Sequence, residues 1–346
     1  MAKKTTIYDI AKKLDITAAT VSRALNNNPK ISEATRELVV KTAAKMNYEQ
    51  NRLALALKSG KSNNVGVIVP RIDSNFFASI IRGIEDELSP FGYHVIICQT
   101  HEKNDKEVET VDTLLNAQVD GILMSISKSS KDASHLDRII KKNIPLIFFD
   151  RRRIMEGVSS VTIDDFEGGY QATKHLIKQG CKRIAHFCGN RNIEIFKERF
   201  SGYKQALLDH GMELDEDYVI QIKSNIDEGA KAMKSLLKME NPPDGLFSSS
   251  DFSALGAIQE LKSQGIKVPN EFCVAGFSNE PFTRFMELSI TSIDQSPLEM
   301  GKMAAQVFLE QMNHTDTFKI EKKIVLEPKL IIRKSSLKSE VLVSTQ

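Results

Sequence analysis

The chain has few of the features that mark several common protein classes. Its four cysteines, Cys98, Cys181, Cys188 and Cys273, include no C-x-x-C pair, which argues against a disulfide scaffold or a zinc finger and for reduced, buried thiols. No segment approaches the roughly 18 consecutive apolar residues of a membrane span, and no apolar stretch follows the lysines of MAKKTTIYDI, so no membrane partner is expected and the protein is expected to be cytoplasmic. Catalytic patterns are missing too. Gly60-Lys61-Ser62 resembles the end of a phosphate-binding loop, but the glycine required five positions earlier is Leu55. His101-Glu102 has Asp105 where a zinc-protease helix needs its second histidine. There is no G-x-S-x-G elbow, and the patches Asn26–Asn28 and Ser248–Ser250 have no general base at useful spacing. No catalytic residue, cofactor or metal is therefore expected, and the chain is read as a non-enzyme.

What is present is an ordinary globular composition, 41% hydrophobic and 27% charged over 346 residues. That length exceeds the roughly 250–300 residues at which one core usually divides, so two or three domains are expected. The net charge of +2 is unevenly placed. Residues 1–61 carry 12 Lys and Arg against 5 Asp and Glu, an excess of seven positive charges, while the rest carries 35 against 40, an excess of five negative ones. A basic module on an acidic body suits a nucleic-acid partner, although a solvated basic arm would show the same excess.

From Val65 onward, short apolar runs alternate with amphipathic stretches. Strands are expected at Val65–Val69, His94–Cys98, Gly121–Ser125, Leu146–Phe149, Ile184–Cys188, Tyr218–Ile222, Gly245–Ser248 and Phe272–Phe277. Helical patterns between them include Phe76–Ser89, Lys106–Ala117, Gly168–Gln179, Arg199–Asp209, Glu228–Met239 and Ser253–Ser263. This alternation implies parallel sheets with right-handed crossovers. Phe76–Cys98 and Arg199–Ile222 both run helix, glycine, strand, with Gly92 and Gly211 placed where a helix C-terminus needs a left-handed residue. Two stacked α/β lobes with a small-molecule cleft between them follow, and Ser59–Asn64 reads as a linker.

In the first sixty residues, Ile7, Ile10, Ala11 and Leu14 make one helical stripe, and Thr17 is a good N-cap for a second helix, Ala18–Leu25, with Val21, Ala24 and Leu25 inward. This is a helix-turn-helix pattern whose outer face, Ala18, Ala19, Ser22, Arg23 and Asn26, suits a DNA major groove. A third helix from Ser32 to Met46 is expected to close the core through Ala34, Leu38, Val39 and Ala43.

The run TIYDIAKKLDITAATVSRALNNNPKISEATRELV, then NRLALALKSG and VGVIVP, closely resembles the headpiece of the LacI/GalR (lactose-repressor) family of bacterial transcription regulators. IFFDRR, VTIDD, HLIKQGCKRIAHFCG, ERFSGYKQAL, SSSDFSALGAI, VAGFSN, TSIDQ and LIIRKSS extend the resemblance over roughly 330 residues. It implies a small all-α helix-turn-helix headpiece on an α/β body of two parallel-sheet lobes resembling periplasmic sugar-binding proteins. The expected divisions are 1–60, 61–335 and a C-terminal tail, 336–346. The DNA-binding positions it implies are Tyr8, Thr17, Ala18, Ala19, Thr20, Ser22, Arg23 and Asn26, with Arg23 on a base edge, the alanines in apolar contact with bases, and Thr17 and Ser22 on phosphate. In a hinge helix at about residues 51–58 it implies Asn51, Ala54 and Leu57, the leucine wedging into the minor groove when two copies meet on DNA. Asp15, where many members have glycine, can visit the left-handed region, and Gln50 replaces a common proline.

For the cleft the resemblance implies Phe76, Phe77 and Ile80 as an apolar wall, Asp150 and Arg199 as charged contacts, and Ser250, Ser278 and Gln295 as polar ones. Ser278 stands where many sugar-responsive relatives have aspartate, and Ile193 and Ile195 where they have polar groups, so a different ligand is expected. Arg191, Arg199 and Arg151–Arg153 leave a phosphorylated sugar open. The expected function is a sequence-specific DNA-binding regulator, a repressor, acting as a homodimer on a near-palindromic operator under control of a small-molecule effector, a sugar or sugar derivative. The alternative is a sugar-binding protein without a direct regulatory role.

Overall fold

The computed structural model describes residues 5–49, 60–129, 133–313 and 321–338. The chain divides into two compact units, Met1–Ser62 and Asn63–Gln346.

The first unit has three helices, α1 (Ile7–Leu14), α2 (Ala18–Leu25) and α3 (Glu33–Lys45). Each starts on a hydroxyl cap that takes up an otherwise unpaired amide. Thr6 Oγ1 accepts from the Asp9 N–H at 3.4 Å while the Thr6 N–H donates back to Asp9 Oδ2 at 2.8 Å, Thr17 Oγ1 accepts from the Thr20 N–H at 3.1 Å, and Ser32 Oγ accepts from the Thr35 N–H at 3.3 Å. Asp15, with φ 53°, ends α1 in the left-handed region and turns the chain into α2. Ile10, Ala11, Val21, Ala24, Val39 and Ala43 form the core, with Leu25 half-buried beside it. Ala34 and Leu38 do not join it: both face outward, Leu38 at 52% exposure. The inward stripe of α3 passes instead through Val39, Thr42 and Ala43, and the 100° step per residue leaves Leu38 off that side.

The second unit runs β1 (Asn64–Val69), α4 (Asn75–Leu88), β2 (His94–Gln99), α5 (Asn104–Asn116), β3 (Gly121–Met124), α6 (Ser134–Lys141), β4 (Leu146–Phe149) and β5 (Ser159–Ile163). It continues with α7 (Asp165–Lys178), β6 (Ile184–Cys188), α8 (Glu194–Asp209), β7 (Val219–Gln221), α9 (Ile226–Leu236), β8 (Gly245–Ser248), α10 (Asp251–Ser263) and β9 (Cys273–Phe277). It closes with α11 (Phe282–Phe285), β10 (Thr291–Asp294), α12 (Pro297–Asn313), β11 (Lys323–Leu326) and β12 (Lys329–Ile331). All eight expected strands are present within a residue or two. The strands β5, β10, β11 and β12, absent from the expectation, read SSVTI, TSID, KIVL and KLI. Gly92 and Gly211 are left-handed, φ 76° and 70°, as the repeated helix-glycine-strand pattern required.

Two six-stranded sheets result, ordered β11-β5-β4-β3-β1-β2 and β12-β10-β9-β8-β6-β7. All pairings are parallel except β10 with β12. The central strands are buried along their whole length, as strands covered by helices on both faces must be. The chain passes between the lobes three times, from β5 into α7, from β10 into α12, and from β11 into β12. The first and third passages touch, the Asp164 N–H donating to the Leu326 C=O at 3.0 Å.

Small residues let the covering helices approach closely. A methyl at Gly202 on α8 would overlap the Phe166 carbonyl oxygen on α7, and one at Gly169 on α7 would overlap the Arg199 carbonyl oxygen on α8. This reciprocal contact fixes Arg199 against the start of α7. The expected tail begins later than residue 336: Ser336 is fully buried, its Oγ 2.7 Å from His175 Nε2 and 2.6 Å from Thr291 Oγ1. Among the described residues no helix is long and apolar enough to cross a membrane.

Gly202→Ala is expected to lower stability by about 1–3 kcal/mol through overpacking, seen as a lower urea midpoint at unchanged slope, while Lys204→Ala on the exposed side of the same helix leaves the midpoint in place. Equal midpoints would remove the close approach from the account.

Candidate functional site

The headpiece presents Tyr8, Thr17, Ala19, Arg23 and Asn26 as exposed residues, with Tyr8 at 72%. Ala18, Thr20 and Ser22 are half-buried, and Ala18 leans on the core. Two of these polar groups are turned to local work. Thr17 caps α2 and its hydroxyl lies 2.9 Å from that of Thr20, and Asn26 Nδ2 donates to the Ser22 C=O at 2.8 Å, closing the helix C-terminus. Neither Asp9 nor Glu33 pairs with Arg23, whose guanidinium makes no hydrogen bond or ion pair among the described residues, and Lys12, Lys13 and Lys30 are exposed on the same small unit. A free guanidinium on a capped, rigid helix is what base-edge reading needs. Asn51, Ala54 and Leu57 lie outside the described residues.

In the body a cleft of about 470 Å³ opens where loops from the carboxyl ends of strands in both sheets converge. Phe76, Phe77, Asp150, Arg199, Ser250, Ser278 and Gln295 all line it. Ile80 does not: it is fully buried under α12, where its carbonyl oxygen faces Gly301. One turn beyond Phe76 and Phe77, that inward position belongs to the core. Backbone at the rim is held in the left-handed region at Glu102 (φ 59°), Asp150 (φ 59°) and Ser278 (φ 109°), strain of a kind that surrounding structure must enforce and that gathers at binding sites.

Arg199 is the centre of the cleft. It is 4% exposed and lies with its guanidinium carbon 3.6 Å from the Phe277 ring centroid. Its Nε donates to Asp165 Oδ1 at 2.7 Å, Nη1 to the Ser249 C=O at 3.1 Å and Nη2 to Gln295 Oε1 at 3.3 Å. Gln295 in turn donates to Ser278 Oγ at 3.1 Å. Asp165 stands at the end of the first passage between lobes and Gln295 within the second, so one side chain ties two passages together. Three of its five N–H groups are used and two remain. Burial raises the Asp165 carboxyl to about 6 although Arg199 draws it down.

Other cations are engaged. Arg151, first of the arginine run, donates to both oxygens of Glu102 at 2.9 and 3.1 Å and lies 3.4 Å from Asp150 Oδ2. Asp150 also accepts from Ser125 Oγ at 2.9 Å. Arg152 bridges the lobes to Glu194 at 3.2 Å, Arg71 pairs with Asp73, and Lys128 Nζ lies 5.2 Å from the Phe196 ring of the other lobe and 3.9 Å from Glu102 Oε1. Arg191 is paired with Glu216 and stacked on Phe200, and it does not line the cleft. The lining acids, Asp73, Glu102, Asp150, Asp227 and Glu280, outnumber the lining bases, Arg71, Lys128, Arg151 and Arg199. Of the arginine run only Arg151 lines this cleft; Arg152 and Arg153 line an adjoining cavity with Arg151 and Lys128.

Sequence reading missed Glu102, Lys128, Phe196, Phe252 and Glu280 as cleft residues. The signal was position: most lie within a few residues of a strand's carboxyl end. Among the described residues no group of three or more His, Cys, Asp or Glu could hold a metal ion.

The family model described as "Bacterial regulatory proteins, lacI family" matches residues 6–51, and "Periplasmic binding proteins and sugar binding domain of LacI family" matches residues 62–329. The chain is 35% identical over 308 residues to the HTH-type transcriptional repressor CytR of Escherichia coli (strain K12), covering 89% of this chain and 89% of that protein. Among solved structures, a transcriptional regulator CelR–cellobiose complex is similar at 28% identity and a TM-score of 0.72, over 96% of this chain and 100% of that one. The lac repressor dimer bound to operator and the anti-inducer ONPF shares the fold, with a TM-score of 0.86 at 21% identity over 97% and 100% of the two chains.

Arg199→Met leaves Asp165 buried without its cation, at an expected cost of about 3–5 kcal/mol near neutral pH, and adding Asp165→Asn recovers most of it. Because burial holds the folded-state carboxyl above its unfolded value, the folded variant binds the proton more tightly, so its stability rises as the pH falls. Loss of the arginine that draws Asp165 down makes that relief begin above the wild-type value of about 6. Urea unfolding of the double-mutant cycle across that range checks this, and additive losses at every pH would contradict it.

Proposed function

The chain belongs to the LacI family of bacterial regulatory proteins, and from that premise we propose that α2 reads an operator through Arg23 while the cleft around Arg199 takes the effector that sets operator affinity. It is a DNA-binding transcriptional regulator and not an enzyme, working as a dimer on operator DNA with a small-molecule effector. The observation that carries the finer reading is the position of one guanidinium. Arg199 lines the cleft and at the same time ties Asp165 and Gln295, on two of the three passages between the lobes.

A hydroxyl-bearing ligand is the chemistry this site favours. The Asp150 carboxylate accepts, the two remaining Arg199 N–H groups donate, and Phe76, Phe77 and Phe196 supply apolar surface for a ring face. Contacts to such a ligand compete with or reinforce the bonds of Arg199 to the two passages, and a ligand that binds one lobe arrangement better shifts the population toward it. Operator affinity follows where the two headpieces and their hinges at about residues 51–58 must be held at one separation to engage a near-palindromic site. Repression is the proposed outcome. A bare sugar-binding role leaves the free Arg23 and the seven excess positive charges of residues 1–61 without use.

Arg23→Ala tests the assignment. In fluorescence anisotropy with a duplex obtained by in vitro selection, its affinity is expected to fall at least about tenfold, the worth of one bidentate base contact, while binding to random duplex changes little and thermal stabilisation by sugars is retained. Equal loss on selected and random duplex would remove base reading from Arg23.

A further inference from the structure

One buried acid of the cleft is left without a partner. Glu280, between β9 and α11, is 7% exposed and lines the cleft with Ser278, Ser250 and Phe252. Its backbone is fixed on both sides: its N–H donates to Asp251 Oδ2 at 2.8 Å, and its C=O accepts from Thr283 Oγ1 at 2.6 Å. Its carboxylate has no hydrogen bond or ion pair among the described residues. A buried charge in that condition is costly unless something arrives to meet it.

The surroundings do not supply that cation. On the lobe that carries Glu280, Arg199 is the one basic residue among the described residues lining the cleft, and it is held by Asp165, Ser249 and Gln295. Arg333 is turned to Asn279, Thr283 and the Ile290 carbonyl, and Arg284 lies 5.7 Å from the Phe285 ring. The neighbouring acids only add to the demand. Asp251 is fully buried against Ser292 and the Glu280 amide, Asp294 accepts from Asn279, and Asp227 lines the same lobe with an exposed carboxylate.

We propose that Glu280 recognises a basic nitrogen on the effector, so that the cleft selects an amine-bearing, hydroxyl-rich molecule over its all-hydroxyl counterpart. The proposal rests on the cleft being the effector site. A carboxylate paired with an ammonium inside a cavity makes a charge-assisted hydrogen bond, stronger than one to a hydroxyl, and Phe252, 41% exposed in the same wall, adds an aromatic surface that suits a cation. Burial, then the neighbouring Asp251, pushes the Glu280 carboxyl up to about 7. The empty site is therefore partly protonated at neutral pH, and an arriving ammonium displaces that proton to solvent.

Isothermal titration of the full chain with two matched pairs, D-glucosamine against D-glucose and D-galactosamine against D-galactose, tests the proposal in slightly acid buffers of different ionisation enthalpy. At least one amino sugar is expected to bind about ten- to a hundredfold more tightly than its partner, with net proton release, and Glu280→Gln should bring that ratio close to one and abolish the release. Glu280→Met, which keeps the volume, should do the same if Gln disturbs folding. If neutral sugars bind and amino sugars bind no better, or the preference survives in both variants, this inference fails while the effector cleft stands. If no member of either pair binds, both fail.

Discussion

A single arginine, buried where the lobes exchange chain, is the constraint on which the body depends. The Arg199 guanidinium is buried against the ring of Phe277, and Asp165, Ser249 and Gln295 accept its hydrogen bonds in fixed directions. Gly169 and Gly202 permit α7 and α8 to come close enough for that geometry. The polar chain continues through Gln295 to Ser278, so the rim of the cleft and two of the three passages between lobes form one hydrogen-bonded unit. In the proposed switch, a ligand that alters any member acts directly on those passages, without a long relay through the cores. Such short coupling is the physical basis for a switch with two discrete arrangements.

The headpiece follows a different logic. Its core is small and its helices short, so stability depends on caps and on a few fully buried residues, Ile10, Val21 and Val39 among them. That economy leaves the outer face of α2 free of internal duties except at Thr17 and Asn26, which hold the ends of the helix. Rigid presentation and an unpaired Arg23 come from the same cause.

Much of the architecture was legible before any coordinates. Strand and helix alternation located β1, β3, β4, β6, β8 and β9, because those strands are continuous apolar runs, and Gly92 and Gly211 marked the repeated turn. The strands that escaped are of two kinds. The buried β5 and β10 are rich in serine and threonine, and their polar groups are satisfied by neighbours, as with Ser292 on Asp251 and Thr291 on Arg333 and Ser336. The edge strands β11 and β12 alternate half-buried with exposed residues and depend on pairing for their form. In the site, the family resemblance placed seven of eight cleft positions and misplaced Ile80, since helical spacing near Phe76 and Phe77 cannot by itself separate a cleft wall from a core contact. Glu102 and Glu280 were missed because their role depends on which charges remain unpaired in three dimensions, and sequence spacing carries no account of that.

In the proposed switch the Arg199 clamp carries the signal from cleft to operator, and Asp165, which holds the clamp without lining the cleft, isolates it. The direct measurement is operator affinity by fluorescence anisotropy, with and without a saturating cleft ligand, in the wild-type chain and in Asp165→Asn. A ligand-dependent ratio of about 5- to 150-fold is expected in the wild type, shrinking toward one in Asp165→Asn while the variant still binds the ligand. An undiminished ratio in the variant would contradict it.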